Sequence, residues 1–184
     1  GSDANSPAQA KNIDTPCLTA QHAIDNASVV SGDNIVVAVG TYAGFNLTKR
    51  LNIIGVWKGS NPVQNTVFNT TVSLSTSGGS SSERMVLKNL RVSCTAGDAI
   101  DVRNSYVTME NVFATTSGSG FNGIRLNNNF IIDINIESCN INNSSRTGIY
   151  IPSFVDVDGL TIKNSTISNN GYWGIAAFQT SATT

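Results

Sequence analysis

The side chains whose types and spacing could act on a polar ligand are Asp101, Arg103, Arg125, Asn127 and Tyr150. Asp101 precedes Arg125 by 24 residues and Arg125 precedes Tyr150 by 25, while Arg103 and Asn127 are again 24 apart. On a repeat of that length they form two adjacent outward columns. A carboxylate, two guanidinium groups, an amide and a phenol suit the hydroxyls and carboxylates of sugars, because each offers a directional or charge-assisted hydrogen bond. Asp101 and Arg125 read either as a substrate-orienting or catalytic pair or as an ordinary ion pair between neighbouring repeats. Asp98 lies three residues before Asp101, so it has the opposite parity and is expected in or near the preceding turn. The column therefore lacks the paired acids of a glycoside hydrolase and the oxygen cage of a calcium site, and no catalytic residue is assigned.

A second outward column holds Lys88, Glu110, Glu137 and Lys163. Lys88 can meet Glu110 and Glu137 can meet Lys163, while the two glutamates are neighbours about 4.8 Å apart by strand spacing. Such a like-charge pair could hold calcium, but the flanking lysines neutralise it more simply, so no metal ligands and no cofactor are assigned. His22, the only histidine, is expected to be exposed at one end of the molecule, which removes serine-triad hydrolysis from consideration. Gly118 and Gly120 read as a flexible turn rather than a phosphate cradle. Tyr172 and Trp173 are the aromatic candidates, either for stacking on sugar rings or for packing on a following repeat, and Trp57 is expected to cover a loop.

The columns depend on a repeat, and the repeat is visible in two marks. A Gly/Ala-Ile step recurs at Ala99-Ile100, Gly123-Ile124, Gly148-Ile149 and Gly174-Ile175, at intervals of 24, 25 and 26 residues. An apolar-polar-Asn/Ser triplet runs beside it at Leu87-Lys88-Asn89, Met109-Glu110-Asn111, Ile136-Glu137-Ser138 and Ile162-Lys163-Asn164. Two marks drifting together indicate a solenoid whose loops absorb small insertions. Within each repeat short segments alternate apolar and polar with period two, which is a strand with one buried face. Strands this close leave no room for crossover helices, so the backbone must pair with the repeats above and below, giving parallel sheets around an apolar shaft. The Asn and Ser residues then stack at one turn as a ladder.

The fold expected is all-β, a parallel β-helix of about six rungs with a short N-terminal capping α-helix. Residues 1–14 form a tag remnant and leader, and residues 15–184 one domain, with the capping helix at about 15–29 and rungs at about 33–178. Thr15 and Pro16 fit a helix cap and first position, and Ala20, Ala23, Ile24 and Ala27 make a narrow apolar stripe that can lie across the shaft opening. The opposite end lacks such a lid, which invites end-to-end self-association.

With 184 residues, 40% apolar and 12% charged, the chain can bury a core and is not disordered. Its net charge is −1 and neither sign forms a run, so nucleic acid is not expected. The 23 Asn and 40 Ser plus Thr make a neutral polar surface of the extracellular kind. Gly1-Ser2 reads as a cloning remnant and the chain as a piece of something longer, with no signal peptide and no run expected to insert into a membrane. Cys17, Cys94 and Cys139 match no zinc or redox spacing and are expected as free thiols, Cys94 and Cys139 buried. The six Asn-x-Ser/Thr sequons, at Asn26, Asn46, Asn69, Asn142, Asn143 and Asn164, are about what composition alone yields.

The run from Cys17 to Ala27, then Gly32-Asp33-Asn34-Ile35-Val36-Val37, Gly40-Thr41-Tyr42 and Leu51-Asn52-Ile53-Ile54-Gly55 resembles the start of pectin-lyase-like β-helix proteins. The resemblance covers residues 17–55 closely and the later repeats generically. It implies a right-handed, three-sided parallel β-helix in a secreted or cell-surface protein. Enzymes of that family commonly place carboxylates, often with calcium, and an Arg or Lys on the outer face of one sheet, where acidic polysaccharide lies. The function expected here is a non-catalytic module that contacts polysaccharide or cell-surface glycan or acts as a spacer. The alternatives are a polysaccharide lyase, hydrolase, esterase or epimerase, and a fragment of a viral or phage fibre.

Overall fold

A computed structural model describes residues 1–6, 14, 16–58, 64–76 and 79–178. Among the described residues a helix α1 (Ala20–Asp25) is followed by β1 (Asn34–Val36), β2 (Gly40–Tyr42), β3 (Asn46–Leu47), β4 (Asn52–Ile54), β5 (Thr66–Phe68), β6 (Val72–Leu74), β7 (Met85–Cys94) and β8 (Ile100–Val102). They continue with β9 (Val107–Thr116), β10 (Ile124–Leu126), β11 (Phe130–Glu137), β12 (Asn140–Asn142), β13 (Thr147–Ile151), β14 (Asp156–Lys163), β15 (Thr166–Ser168) and β16 (Trp173–Ala177). No strand pairs with its sequence neighbour. Each pairs in parallel with the strand one repeat away, as in β7 with β9 and β8 with β10, and this is the pairing of a coil.

One sheet has six strands in the order β3-β6-β8-β10-β13-β16, and the other has ten, with β1-β4-β7-β9-β11-β14 as its longest path. Six passes through the first sheet enclose about five complete turns. The expected β-solenoid and its repeat length are thus observed.

The second repeat mark has a specific backbone role. Asn89, Asn111, Ser138 and Asn164 all have left-handed backbones, with φ between 50° and 56°. Asn and, less readily, Ser tolerate that conformation, whereas β-branched residues do not. The left-handed residue also resets strand parity. In β7 the buried positions are Met85 and Leu87 before Asn89, then Leu90, Val92 and Cys94 after it. Without the reset, half of each long strand would turn its apolar side chains to solvent. Asn111 Nδ2 donates to Asn89 Oδ1 at 2.9 Å, so the ladder is bonded at that step.

The N-terminal helix is shorter than the sequence suggests. It runs from Ala20 to Asp25 with Thr19 as its N-cap, whose Oγ1 accepts from His22 N at 3.2 Å. Thr15 lies outside the described residues, and Ala27 is exposed beyond the helix end. Ala20 and Ile24 are nonetheless buried in the shaft's core, with Ala23 packed against it. His22 is half-buried rather than fully exposed. At the other end β14, β15 and β16 each have, among the described residues, a partner on one side only. Among the described residues no helix is long and apolar enough to cross a membrane.

Candidate functional site

The six-stranded sheet carries the residues singled out for chemistry. Its register aligns Ser73, Asp101, Arg125, Tyr150 and Ala176 on five successive strands. Ile100 and Val102 point into the shaft and are fully buried, which turns Asp101 between them outward. Asn127 N donates to Val102 O at 2.7 Å, seating Asn127 beside Arg103.

Register neighbours are not ion-pair partners here. Asp101 Oδ2 accepts from Arg103 Nε at 2.7 Å, within its own strand's run, and only 9% of the Asp101 side chain is exposed. Arg125 turns away from Asp101, and its Nη1 lies 3.8 Å from Asp98 Oδ2. The expected Asp101–Arg125 pair is replaced by two pairs, because a guanidinium on a three-methylene stem reaches across a corner that strand parity treats as a barrier. Asp98 is thus a second carboxylate beside the column. Its Oδ1 accepts from Asn122 N at 2.7 Å and from Asn122 Nδ2 at 2.9 Å. Asp101 Oδ1 and Arg125 Nε are buried without a hydrogen-bond partner among the described residues.

The upper end of the column is aromatic. Tyr150 has the Arg146 guanidinium carbon 5.1 Å from its ring centre and meets Phe178 edge-on at 6.0 Å. Phe178 contacts Trp173 at 5.8 Å, and Trp173 contacts Tyr172 at 5.8 Å. Tyr172 and Trp173 remain 68% and 50% exposed. Arg146 and Phe178 extend the site beyond the sequence candidates. Phe178 approaches Tyr150 diagonally across neighbouring strands, a contact that strand parity does not describe. Arg146 sits in a turn that the alternation does not describe.

The chain matches no protein-family model, no curated protein and no solved structure. The opening motif between Cys17 and Gly55 therefore carries no family assignment, and the fold stands on the observed coil.

The remaining candidates fall elsewhere. Lys88 Nζ meets Glu110 Oε1 at 2.7 Å, while Glu110, Glu137 and Lys163 follow in register on the ten-stranded sheet. Among the described residues no three His, Cys, Asp or Glu side chains gather in one place. The three cysteines are free. Burial pushes the Cys139 thiol up to about 11, which keeps it protonated near neutrality.

Proposed function

We propose that this chain is a secreted or cell-surface β-helix module of the pectin-lyase-like type, whose six-stranded sheet contacts glycan weakly and without turnover. The observation that supports this most is the continuity of two carboxylate–guanidinium pairs, Asp101–Arg103 and Asp98–Arg125, with the aromatic run of half-buried Tyr150 and exposed Phe178, Trp173 and Tyr172. Carboxylate–guanidinium pairs orient sugar hydroxyls, and neighbouring aromatic faces take the apolar side of a sugar ring. Both acids are held by arginines, which suits binding better than proton transfer. A shallow sheet buries little ligand, so affinity is expected in the range of about 1 mM to 0.1 mM.

The test is incubation with acidic and neutral polysaccharides, with and without calcium, following electrophoretic retardation together with unsaturated products and reducing ends. Retardation by at least one polysaccharide, weakened by Arg125→Ala and accompanied by no product, is expected. Turnover that is lost in Asp101→Ala or Arg125→Ala would replace the binding module with a polysaccharide lyase or hydrolase. Absence of retardation across the panel would remove glycan contact altogether.

A second reading concerns partners. Among the described residues β14–β16 pair on one side only, and Ile175 and Phe178 are each more than 40% exposed, which favours end-to-end association of two copies. Sedimentation is expected to show dimers that dissociate on dilution, and a strict monomer at high concentration contradicts it.

A further inference from the structure

The ten-stranded sheet holds a recess that the surface described above does not use. Arg91 on β7, Phe113 on β9 and Asn140 on β12 stand in register on three successive strands, just past the left-handed corner. Trp57, from the segment after β4, lays its indole against Phe113 with centroids 5.8 Å apart and planes at 19°. The Arg91 guanidinium carbon lies 4.8 Å from the centre of the same Phe113 ring. With Val112 and Ser138 these residues line a recess of about 370 Å³, at the small end of ligand sites and suited to one substituted ring.

The fold leaves this recess chemically unfinished. Arg91 makes no ion pair among the described residues, and its Nε is buried without a partner. Asn140 Oδ1 is an acceptor in the same condition. Glu110, on the same strand as Phe113, is committed to Lys88. Burial draws the Arg91 guanidinium below its ordinary value, as expected of a cation that has lost water without gaining a counter-charge. Both unpartnered atoms are enclosed by the protein, so what a ligand in the recess can answer is the missing counter-charge of the Arg91 guanidinium.

We infer that this recess binds a ring-shaped carboxylate, with the flat face of the ring on Trp57 and the charge on Arg91. A sugar acid and an aromatic acid share this chemistry. The site is independent of the six-stranded sheet, since none of its residues belongs to that surface.

The experiment follows the two indole N–H signals, of Trp57 and Trp173, in a proton–nitrogen correlation spectrum of the whole chain, assigned with Trp173→Phe. The probes are glucuronate, benzoate, methyl glucoside, benzyl alcohol and acetate. Glucuronate or benzoate is expected to move the Trp57 signal saturably, and the tighter of the two names the source. The neutral rings and acetate, each lacking either charge or ring, are expected to bind at least about tenfold more weakly. Arg91→Gln should abolish the preference for charge, Arg91→Lys should keep part of it, and Arg125→Ala should leave it unchanged. Equal binding of charged and neutral rings, a preference that survives Arg91→Gln, or no movement of Trp57 up to about 100 mM probe would each overturn the inference. Movement of Trp173 alone would do the same while supporting the six-stranded surface.

Discussion

Ile124 and Ile175 occupy the same place in the repeat, each after a glycine, and lie on one register line through Ile100, Ile124, Ile149 and Ile175. Ile124 is 1% exposed and Ile175 is 47% exposed. The preceding glycines differ in the same way. A Cβ on Gly148 would come within 2.5 Å of Gly174 O, whereas the closest neighbour of a Cβ on Gly174 would be 3.5 Å away. Local sequence sets which way a side chain points, and the next rung supplies the burial. In a coil of this kind stability is a sum over rung-to-rung interfaces, so identical substitutions should have unequal costs in the middle and at the last rung.

The largest difference is expected for Ile124→Asp against Ile175→Asp. An unpaired charge in the shaft should cost more than about 4 kcal/mol and abolish cooperative melting, while the same change at Ile175 should stay within about 0.5 kcal/mol. Equal melting temperatures for the two variants would break the comparison. Next come the glycines: Gly148→Ala should cost about 2–3 kcal/mol by overpacking against backbone, and Gly174→Ala should be close to neutral by denaturant titration.

Cys139, buried in a middle rung, extends the contrast to pH. Its folded-state value of about 11 lies above the free-thiol value of about 8.5. The folded chain therefore holds a proton that the unfolded chain releases, and stability contributed below about pH 8.5 is lost as pH rises towards 11. Cys139→Ser should remove that loss, about 3 kcal/mol in all. Cys17, half-exposed near the N-terminal end, should react with a thiol reagent in the native state where Cys139 does not. The smallest effect is expected at the corner, where Asn111→Ala should cost about 1 kcal/mol for the lost hydrogen bond and the left-handed backbone. Asn111→Gly should restore the backbone part, and a Gly variant less stable than the Ala variant would argue against the corner's role.

What was legible in the sequence was whatever is local. The Gly/Ala-Ile step and the Asn/Ser corner each act within a few residues, so their spacing alone revealed the coil and the outward columns. Asp98 lies in the turn before β8, as expected, but its pairing with Arg125 is hidden from a parity count along one strand, because the Arg125 side chain reaches around the corner to it. The helix ended at Asp25 rather than near residue 29 because Asn26 turns the chain out of it, with Asn26 Oδ1 accepting from Ser28 N at 2.9 Å. The recess around Arg91 was invisible for another reason. Trp57 comes from a segment outside both repeat marks, and nothing in the alternation says that it lies on Phe113.

The central claim is that the outward face of the six-stranded sheet, from Asp101 through Arg125 to Tyr150 and Trp173, is the glycan-contacting surface. The most direct measurement is a backbone amide map recorded while an oligosaccharide retarded in the electrophoretic panel is titrated in. The account predicts saturable shifts clustered at Asp101, Arg103, Arg125, Asn127 and Tyr150, with the oligosaccharide unchanged afterwards. Shifts confined to other faces, or cleavage of the oligosaccharide during the titration, would contradict it.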